Sequence, residues 1–313
     1  MKRALVTGAT GFVGPHLISH LYAQGFEIWA SYHHRKRYFP FHVRWIHSDI
    51  TSFKKAQELI RISRPHYVFH LAAQSRTEES WRNSGKTMIL NAVGSIYLLE
   101  AVLRFAPKAR VLLVSSAQVY GASFFGKRRV KETDTANPIS PYAGSKLLME
   151  MIGLNYVQRS GADVVIARSF NQVGNGQSRS TVFFEFCDRI ARMEGKAAPP
   201  LLKVGDLDIL RDFLSVEDAV QAYYLLATHG KKGEIYNVGS GQAIHLRKAL
   251  EFLRRQAKVP FKIQKDPSRF RKNDLPYAVA DPSKLKRLGW RPRKSFQKAL
   301  MELLQESRES VQA

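Results

Sequence analysis

Arg3-Ala4-Leu5-Val6-Thr7-Gly8-Ala9-Thr10-Gly11-Phe12-Val13-Gly14 decides the fold. Residues 3–7 read as a short buried strand. An apolar helical pattern follows through Phe12, Leu17, Ile18, Leu21 and Tyr22, and Gly25 ends it. Pro15 falls in the first turn, where its missing N–H costs little. A strand, a glycine turn and a helix together make a pyrophosphate seat, because free N–H groups at a helix start point at the anion. The spacing is G-x-x-G-x-x-G rather than G-x-G-x-x-G. The alternative is a tight turn without a ligand. Gly8, Thr10, Gly11, Phe12, Val13 and Gly14 are the candidate cofactor contacts.

The second strand runs into Ser31-Tyr32-His33-His34-Arg35-Lys36-Arg37. An acidic residue near this point holds the ribose 2′-hydroxyl of NAD, and none is present. Cations there suit a 2′-phosphate, which predicts NADPH, with NADH possible, and makes His34 and Arg35 candidate contacts. The alternative is a solvated basic loop. Asp49 and Ile50, after a strand at 43–47, are placed for the adenine. Leu71, Ala72 and Ala73, closing a strand at 67–71, are small enough to let a cofactor lie close.

Outward from this motif the chain alternates strand and helix up to residue 169, with helices at 52–63, 84–105 and 142–160 and strands at 110–116 and 163–168. That order predicts an α/β fold: a doubly wound parallel Rossmann sheet with a smaller C-terminal α/β substrate lobe. Residues 1–168 plus about 211–240 are expected to form the first unit, and about 169–210 with 241–313 the lobe. The lobe is read as helix 180–194, a Pro199-Pro200 break, helix 244–257, strand 261–265 and a last helix from 295. Helix 216–228 and strand 234–238 return to the sheet.

Ser140 and Pro141 open a helix in which Tyr142 and Lys146 share one face, 26 residues beyond Ser116. Lys146 and the helix dipole are expected to lower the Tyr142 pKa from about 10. A tyrosine that exchanges a proton near neutrality is what ketone–alcohol redox chemistry needs. Alone, the pair is equally a surface helix contact.

Composition bounds the rest. The 313 residues carry a net charge of +23, which attracts anionic partners without choosing among nucleotides, nucleotide sugars and nucleic acid. No zinc-finger, recognition-helix or RNA motif accompanies the charge, so no specific nucleic-acid partner is expected. One cysteine, Cys187, excludes an internal disulfide and fits a reducing, cytoplasmic setting. Its neighbours Phe183, Phe184 and Phe186 mark it as a core thiol. No signal peptide and no run of about 18 apolar residues is apparent, so no membrane partner is expected. The ten histidines show no metal spacing, and metal ligands are expected to be none.

Thr7–Gly14, Leu71-Ala72-Ala73-Gln74-Ser75, Ser115-Ser116, Tyr142/Lys146 and Arg168-Ser169-Phe170-Asn171 resemble the extended short-chain dehydrogenase/reductases over the full length. Phe170–Gln177, Gly205–Phe213 and Asp266–Asp274 resemble its GDP-mannose branch, which contains the GDP-mannose 4,6-dehydratases and the GDP-4-keto-6-deoxymannose reductases. The resemblance implies Ser116, Tyr142 and Lys146 as catalytic residues, with Tyr142 and Lys146 also at the cofactor. It implies Gln74, Ser75, Gln118, Asn171, Arg179, Arg211, Arg271 and Asp274 at the substrate, with Arg211 and Arg271 clamping the diphosphate. Asp212 either orients Arg211 or caps a helix. A homodimer through helices 84–105 and 142–160 is the family expectation.

The dehydratases of the branch carry a glutamate two residues after the strand-end serine or threonine. Here Gln118 stands in Ser116-Ala117-Gln118, and an amide cannot act as a general base. Either Gln118 is drift and another carboxylate acts, or dehydration is lost and carbonyl reduction remains. The reading favoured is NADPH-dependent reduction of the C4 ketone of GDP-4-keto-6-deoxy-D-mannose to GDP-D-rhamnose. A GDP-mannose dehydratase or another nucleotide-sugar epimerase is the alternative, and a non-catalytic NADP-binding protein the third reading.

Overall fold

The computed structural model describes residues 1–270 and 275–312. Its frame is a seven-stranded sheet of β1 (Arg3–Thr7), β2 (Glu27–Tyr32), β3 (Arg44–His47), β4 (Tyr67–His70), β5 (Arg110–Ser116), β6 (Asp163–Ser169) and a last strand, Ile235–Val238. The spatial order is β3-β2-β1-β4-β5-β6 and then 235–238, with every pairing parallel. The order reverses between β1 and β4. That is where a doubly wound sheet opens a crevice beyond the carboxyl ends of its strands.

The strands are apolar on both faces because both are covered. Ala4 and Val6 join one core while Leu5 joins the other; Val165 and Ala167 alternate with Val164 and Ile166 in the same way. On one face lie α1 (Val13–Ala23) and the helix Val216–His229, through Leu17, Ile18, Leu21, Val220, Tyr223 and Leu226. On the other lie α2 (Phe53–Ser63) and three further helical pieces, α3 (Thr77–Arg82), α4 (Ser84–Met88) and α5 (Gly94–Phe105), followed by α6 (Pro141–Ser160). Packing there runs through Leu59, Ile60, Leu98, Leu99, Val102 and Met149.

The expected helix over 84–105 is continuous, with a π-helical turn at Ile89–Val93 joining α4 to α5. Gly94 follows it, and a Cβ there would sit 3.0 Å from Ile50 Cδ1, so the helix comes down onto the loop after β3. By length and composition Ser84–Phe105 is apolar enough to cross a membrane, a run not anticipated above; its inner face packs on α2 and α6. Two short 3₁₀ turns within Ala117–Gly126, parted by a kink at Gly121 (φ +46°), and α3 were likewise not foreseen.

Beyond β6 the strands are short. Asn171–Val173 pairs with Phe213–Ser215, and Leu201–Val204 with Lys262–Lys265. Leu210–Arg211 lies between Ile244–His245 and Tyr277–Ala278. A separate apolar cluster holds this region together, with Phe183, Phe186, Ile190, Leu250, Leu300 and Leu303 at its centre. Cys187 is buried within it and burial pushes its thiol up, as expected of a core thiol and not of a nucleophile.

Candidate active site

The loop between β1 and α1 is built so that backbone can come close. Gly8 has φ +66°, and a Cβ on it would lie 2.6 Å from Ala72 N. A Cβ on Gly14 would lie 2.3 Å from Ala9 O, so only glycine lets the helix start this near the strand. Gly11 N donates to Gly8 O (3.1 Å), closing the turn. No side chain caps α1. A missing N-cap costs about 1 kcal/mol. Each fully buried Leu or Ile contributes about 1.5–3 kcal/mol, so Leu17, Ile18 and Leu21 hold the helix regardless. Its first N–H groups are left to an anion, and these residues fit the pyrophosphate of a dinucleotide.

Around the seat, the predicted contacts lie where the sequence puts them, at the carboxyl ends of β1, β2, β3 and β4. Leu71, Ala72 and Ala73 are half-buried directly after β4, and Ala72 N donates to Thr7 Oγ1 (3.3 Å). His33, His34, Arg35, Lys36 and Arg37 are exposed after β2. His33 and His34 share a hydrogen bond of 3.0 Å, and Lys36 lies over the Tyr32 ring. Asp49 is partly committed, since Oδ1 accepts from Thr51 N (2.9 Å) and Thr51 Oγ1 (2.7 Å) while Oδ2 faces His33 at 3.7 Å. Ile50 is buried against Gly94.

Ser116 ends β5, and Tyr142 and Lys146 lie one turn apart near the start of α6. Ser140 Oγ accepts from Ala143 N (3.1 Å) with Pro141 next, the start that the sequence indicates. Ser116, Tyr142 and Lys146 are 9%, 7% and 4% exposed. The Ser116 hydroxyl lies beside that of Tyr142, and Ser116 Oγ accepts from Gln118 N (3.2 Å). Lys146 Nζ donates to Val114 O (2.8 Å).

The expectation of an acidified tyrosine is corrected. Burial raises the Tyr142 pKa, and only the neighbouring Ser116 hydroxyl opposes it. A buried phenolate is poorly solvated, and Lys146 points one of its three N–H groups at Val114 O on the strand. The phenol is therefore protonated at neutral pH, the form required of a donor to a forming alkoxide. Burial also lowers Lys146 to about 8.

A buried polar chain behind this centre escaped the sequence reading. Thr7 Oγ1 meets His70 Nδ1 (2.8 Å), and His70 Nε2 meets Ser95 Oγ (3.0 Å), which donates to Asn91 O (2.7 Å). Asn91 Nδ2 donates to Gln74 O and Ser145 Oγ (2.9 Å each), and Ser145 Oγ donates to Tyr142 O (2.7 Å). The ends of β1 and β4, the π-turn and the first turn of α6 are thus one network. Its signal in the sequence was two polar residues four apart, Asn91 and Ser95, inside an apolar run. Burial, and then the nearby Lys146 charge, push His70 down to about 3, so the ring is neutral.

The substrate candidates are gathered less closely. Gln118 is exposed beyond Ser116, its Oε1 accepting from Thr77 Oγ1 (3.0 Å). Gln74 N donates to Asn91 Oδ1 (2.8 Å), and its side chain is turned onto Arg76 and Thr87. Ser75 and Arg179 are exposed on loops. Asn171 lies two residues past Ser169, the register partner of Ser116, and donates to Asp212 O (3.1 Å). Arg211 is half-buried, with Nη1 on Leu210 O (3.0 Å). Arg271 and Asp274 lie outside the described residues. Asp212 neither caps a helix nor binds Arg211 through its carboxylate. That group accepts from Ser240 N and Oγ, Gly241 N and Ala280 N, and burial raises its pKa against those bonds. Among the described residues no group of three or more His, Cys, Asp or Glu side chains could hold a metal.

Known proteins share this arrangement over the whole chain. The family model for GDP-mannose 4,6 dehydratase matches residues 5–303. A GDP-6-deoxy-D-mannose reductase of Pseudomonas aeruginosa is 34% identical over 97% of this chain and 96% of its own. The solved structure of RMD from Pseudomonas aeruginosa complexed with NADPH superposes with a TM-score of 0.87 at 31% identity, covering 99% of this chain and 100% of that one. A UDP-glucose 4-epimerase of Thermotoga maritima solved with UDP-glucose reaches 0.88 at 26%, covering 99% of each. With a doubly wound sheet, the glycine seat and the Ser116–Tyr142–Lys146 centre on one edge, the chain belongs to the GDP-mannose 4,6-dehydratase family, as an oxidoreductase of the Rossmann type.

Proposed function

We propose that the protein uses NADPH to reduce the C4 ketone of GDP-4-keto-6-deoxy-D-mannose, giving GDP-D-rhamnose. The observation that carries this is the pairing of a buried, protonated Tyr142 beside Ser116 with an amide, Gln118, where a dehydratase needs a carboxylate base. The reductase relative and the NADPH-bound neighbour support the same choice. When bound, the reduced nicotinamide supplies the hydride. Ser116 holds the ketone oxygen by a hydrogen bond. Tyr142 donates its proton to that oxygen as charge develops, which is where stabilisation lowers the barrier. Lys146 holds the nicotinamide ribose and carries the charge that offsets the phenolate left behind. Gly8, Gly11 and Gly14 seat the pyrophosphate, and His34 and Arg35 meet the 2′-phosphate. Asn171, Arg179, Arg211, Arg271 and Asp274 recognise the GDP-sugar in a lobe of about 169–210 and 241–313, with 1–168 and about 211–240 holding the cofactor.

We further read the chain as a cytoplasmic homodimer with no specific nucleic-acid or membrane partner. Ile89 (50% exposed), Leu148 (42%) and Met151 (54%) form an apolar outer face on the helices 84–105 and 142–160, suited to a second copy. Purified protein given the keto-sugar and NADPH is expected to consume both in equal amounts. Turnover of GDP-mannose alone would replace the reductase with a dehydratase.

A further inference from the structure

Three successive residues at the end of β5 each face a different turn of α6. Val114 O accepts from Lys146 Nζ (2.8 Å), Ser115 Oγ donates to Glu150 Oε1, and the Ser116 hydroxyl lies beside that of Tyr142. Tyr142, Lys146 and Glu150 are spaced four apart, so they line one stripe of the helix facing one strand. The middle tie is doubled from the neighbouring strand. Arg168, the register partner of Ser115 on β6, donates from Nε to both Glu150 oxygens (3.1 Å each) and from Nη2 to Oε2 (2.8 Å). The two side chains are 5% and 2% exposed. Arg168 is fixed in turn, its guanidinium 4.7 Å from the Tyr120 ring centroid and Nη1 on Glu132 O (3.4 Å), while Tyr120 OH donates to Asn237 Oδ1 (2.7 Å).

We propose that Ser115, Glu150 and Arg168 form a positioning clasp that sets the height of α6 against β5, and so the distance of Tyr142 and Lys146 from Ser116. None of the three needs to touch substrate or cofactor. The clasp also places a fixed negative charge one helical turn from Lys146. A bidentate guanidinium keeps that carboxylate in one orientation, where a free side chain would swing away. The groups facing Lys146 are few. Glu150 comes from its own helix and neutral His70 from β4, while Arg168 reaches Glu150 from β6; Tyr223, from the helix 216–229, lies near Tyr142. Of these only Glu150 favours the ammonium, against a burial that lowers it to about 8. This inference rests on Ser116, Tyr142 and Lys146 being the reducing centre.

The test uses Glu150→Gln and Ser115→Ala in the full chain, with thermal melts to establish folding. NADPH affinity is measured by nucleotide fluorescence across pH 6–10, as an order-of-magnitude range around the lysine, and single-turnover hydride transfer is measured beside it. Wild type is expected to lose NADPH affinity above about pH 8. Glu150→Gln should move that loss down by about a unit and slow hydride transfer at least about tenfold. Ser115→Ala keeps the ion pair and folds; it should slow hydride transfer about threefold with KM unchanged. A folded Glu150→Gln with the wild-type pH profile and rate overturns the clasp. If that variant does not fold, an unchanged rate in Ser115→Ala overturns it. Should wild type ignore the keto-sugar, the assignment of function fails, while the pH profile of NADPH binding still decides the clasp.

Discussion

Ser116, Tyr142 and Lys146 stand on a seven-residue strand and a twenty-residue helix, each less than a tenth exposed. Asn171, by contrast, is exposed on a three-residue strand, and Arg179 is exposed on a loop. The first group is held from several directions by buried bonds, through Val114, Ser145 and the Glu150–Arg168 pair. The second rests on strands of two to four residues around Asp212. The contrast suggests a division of labour. On the proposed roles, the reducing centre is preorganised before any substrate arrives, whereas the sugar-nucleotide contacts are assembled on the shorter, more exposed elements, as expected when chemistry sits on a rigid frame and recognition on variable loops.

The sharpest way to break this division is at its rigid end. Tyr142→Phe should lower kcat about 10²–10⁴-fold with NADPH affinity within about threefold of wild type. Steady-state kinetics and fluorescence titration read both, and a loss smaller than tenfold would move the proton donor elsewhere. At the recognition end the effect should fall on binding. Arg211→Ala is expected to raise KM for the keto-sugar about 10–100-fold and leave kcat within a few-fold, because a diphosphate contact is equal in ground and transition states. A fall in kcat of equal size would erase the distinction. Between the two lies the cofactor's adenosine end. Arg35→Ala should reduce the NADPH-over-NADH preference about tenfold, the scale of one exposed charge pair with phosphate.

The last effect is on stability, within the rigid region, and is read by pH. His70 is neutral in the fold, pushed down to about 3, while the unfolded side chain takes a proton near 6.5. Its contribution is therefore complete above pH 6.5 and is lost as pH falls toward about 3. The loss approaches about 1.4 kcal/mol for each pH unit within that window. Thermal melts at pH 5 and pH 7.5 should differ more for wild type than for His70→Asn. Equal differences would mean that the buried chain from Thr7 to Tyr142 is not what acid attacks.

Much of the rigid region was legible because its signals are local. Gly8 to Gly14 has a required spacing, β5 was placed at 110–116, and Ser140-Pro141 fixed the start of α6. What failed was what depends on packing. The acidified Tyr142 ignored the desolvation that burial brings. The helix over 84–105 is present, but its π-turn was not foreseen, because the partners of Asn91 and Gly94 lie on Gln74, Ser145 and Ile50. Beyond β6, Leu210–Arg211 and Tyr277–Ala278 are too short for periodicity to detect, since they are defined by pairing with each other and, for Leu210–Arg211, with Ile244–His245. Asp212 carried no local sign that its carboxylate would join two distant backbone segments, at Ser240-Gly241 and at Ala280.

The central claim is that this centre reduces a ketone and does not eliminate water. The direct measurement is to run the reaction in D₂O with ordinary NADPH and GDP-4-keto-6-deoxy-D-mannose, and to locate deuterium in the product by mass and proton NMR. Hydride from the nicotinamide should place protium at C4, with no enzyme-dependent deuterium at C5. Enzyme-dependent deuterium at C5, with NADPH unconsumed, would identify a base that abstracts the C5 proton and would contradict the account.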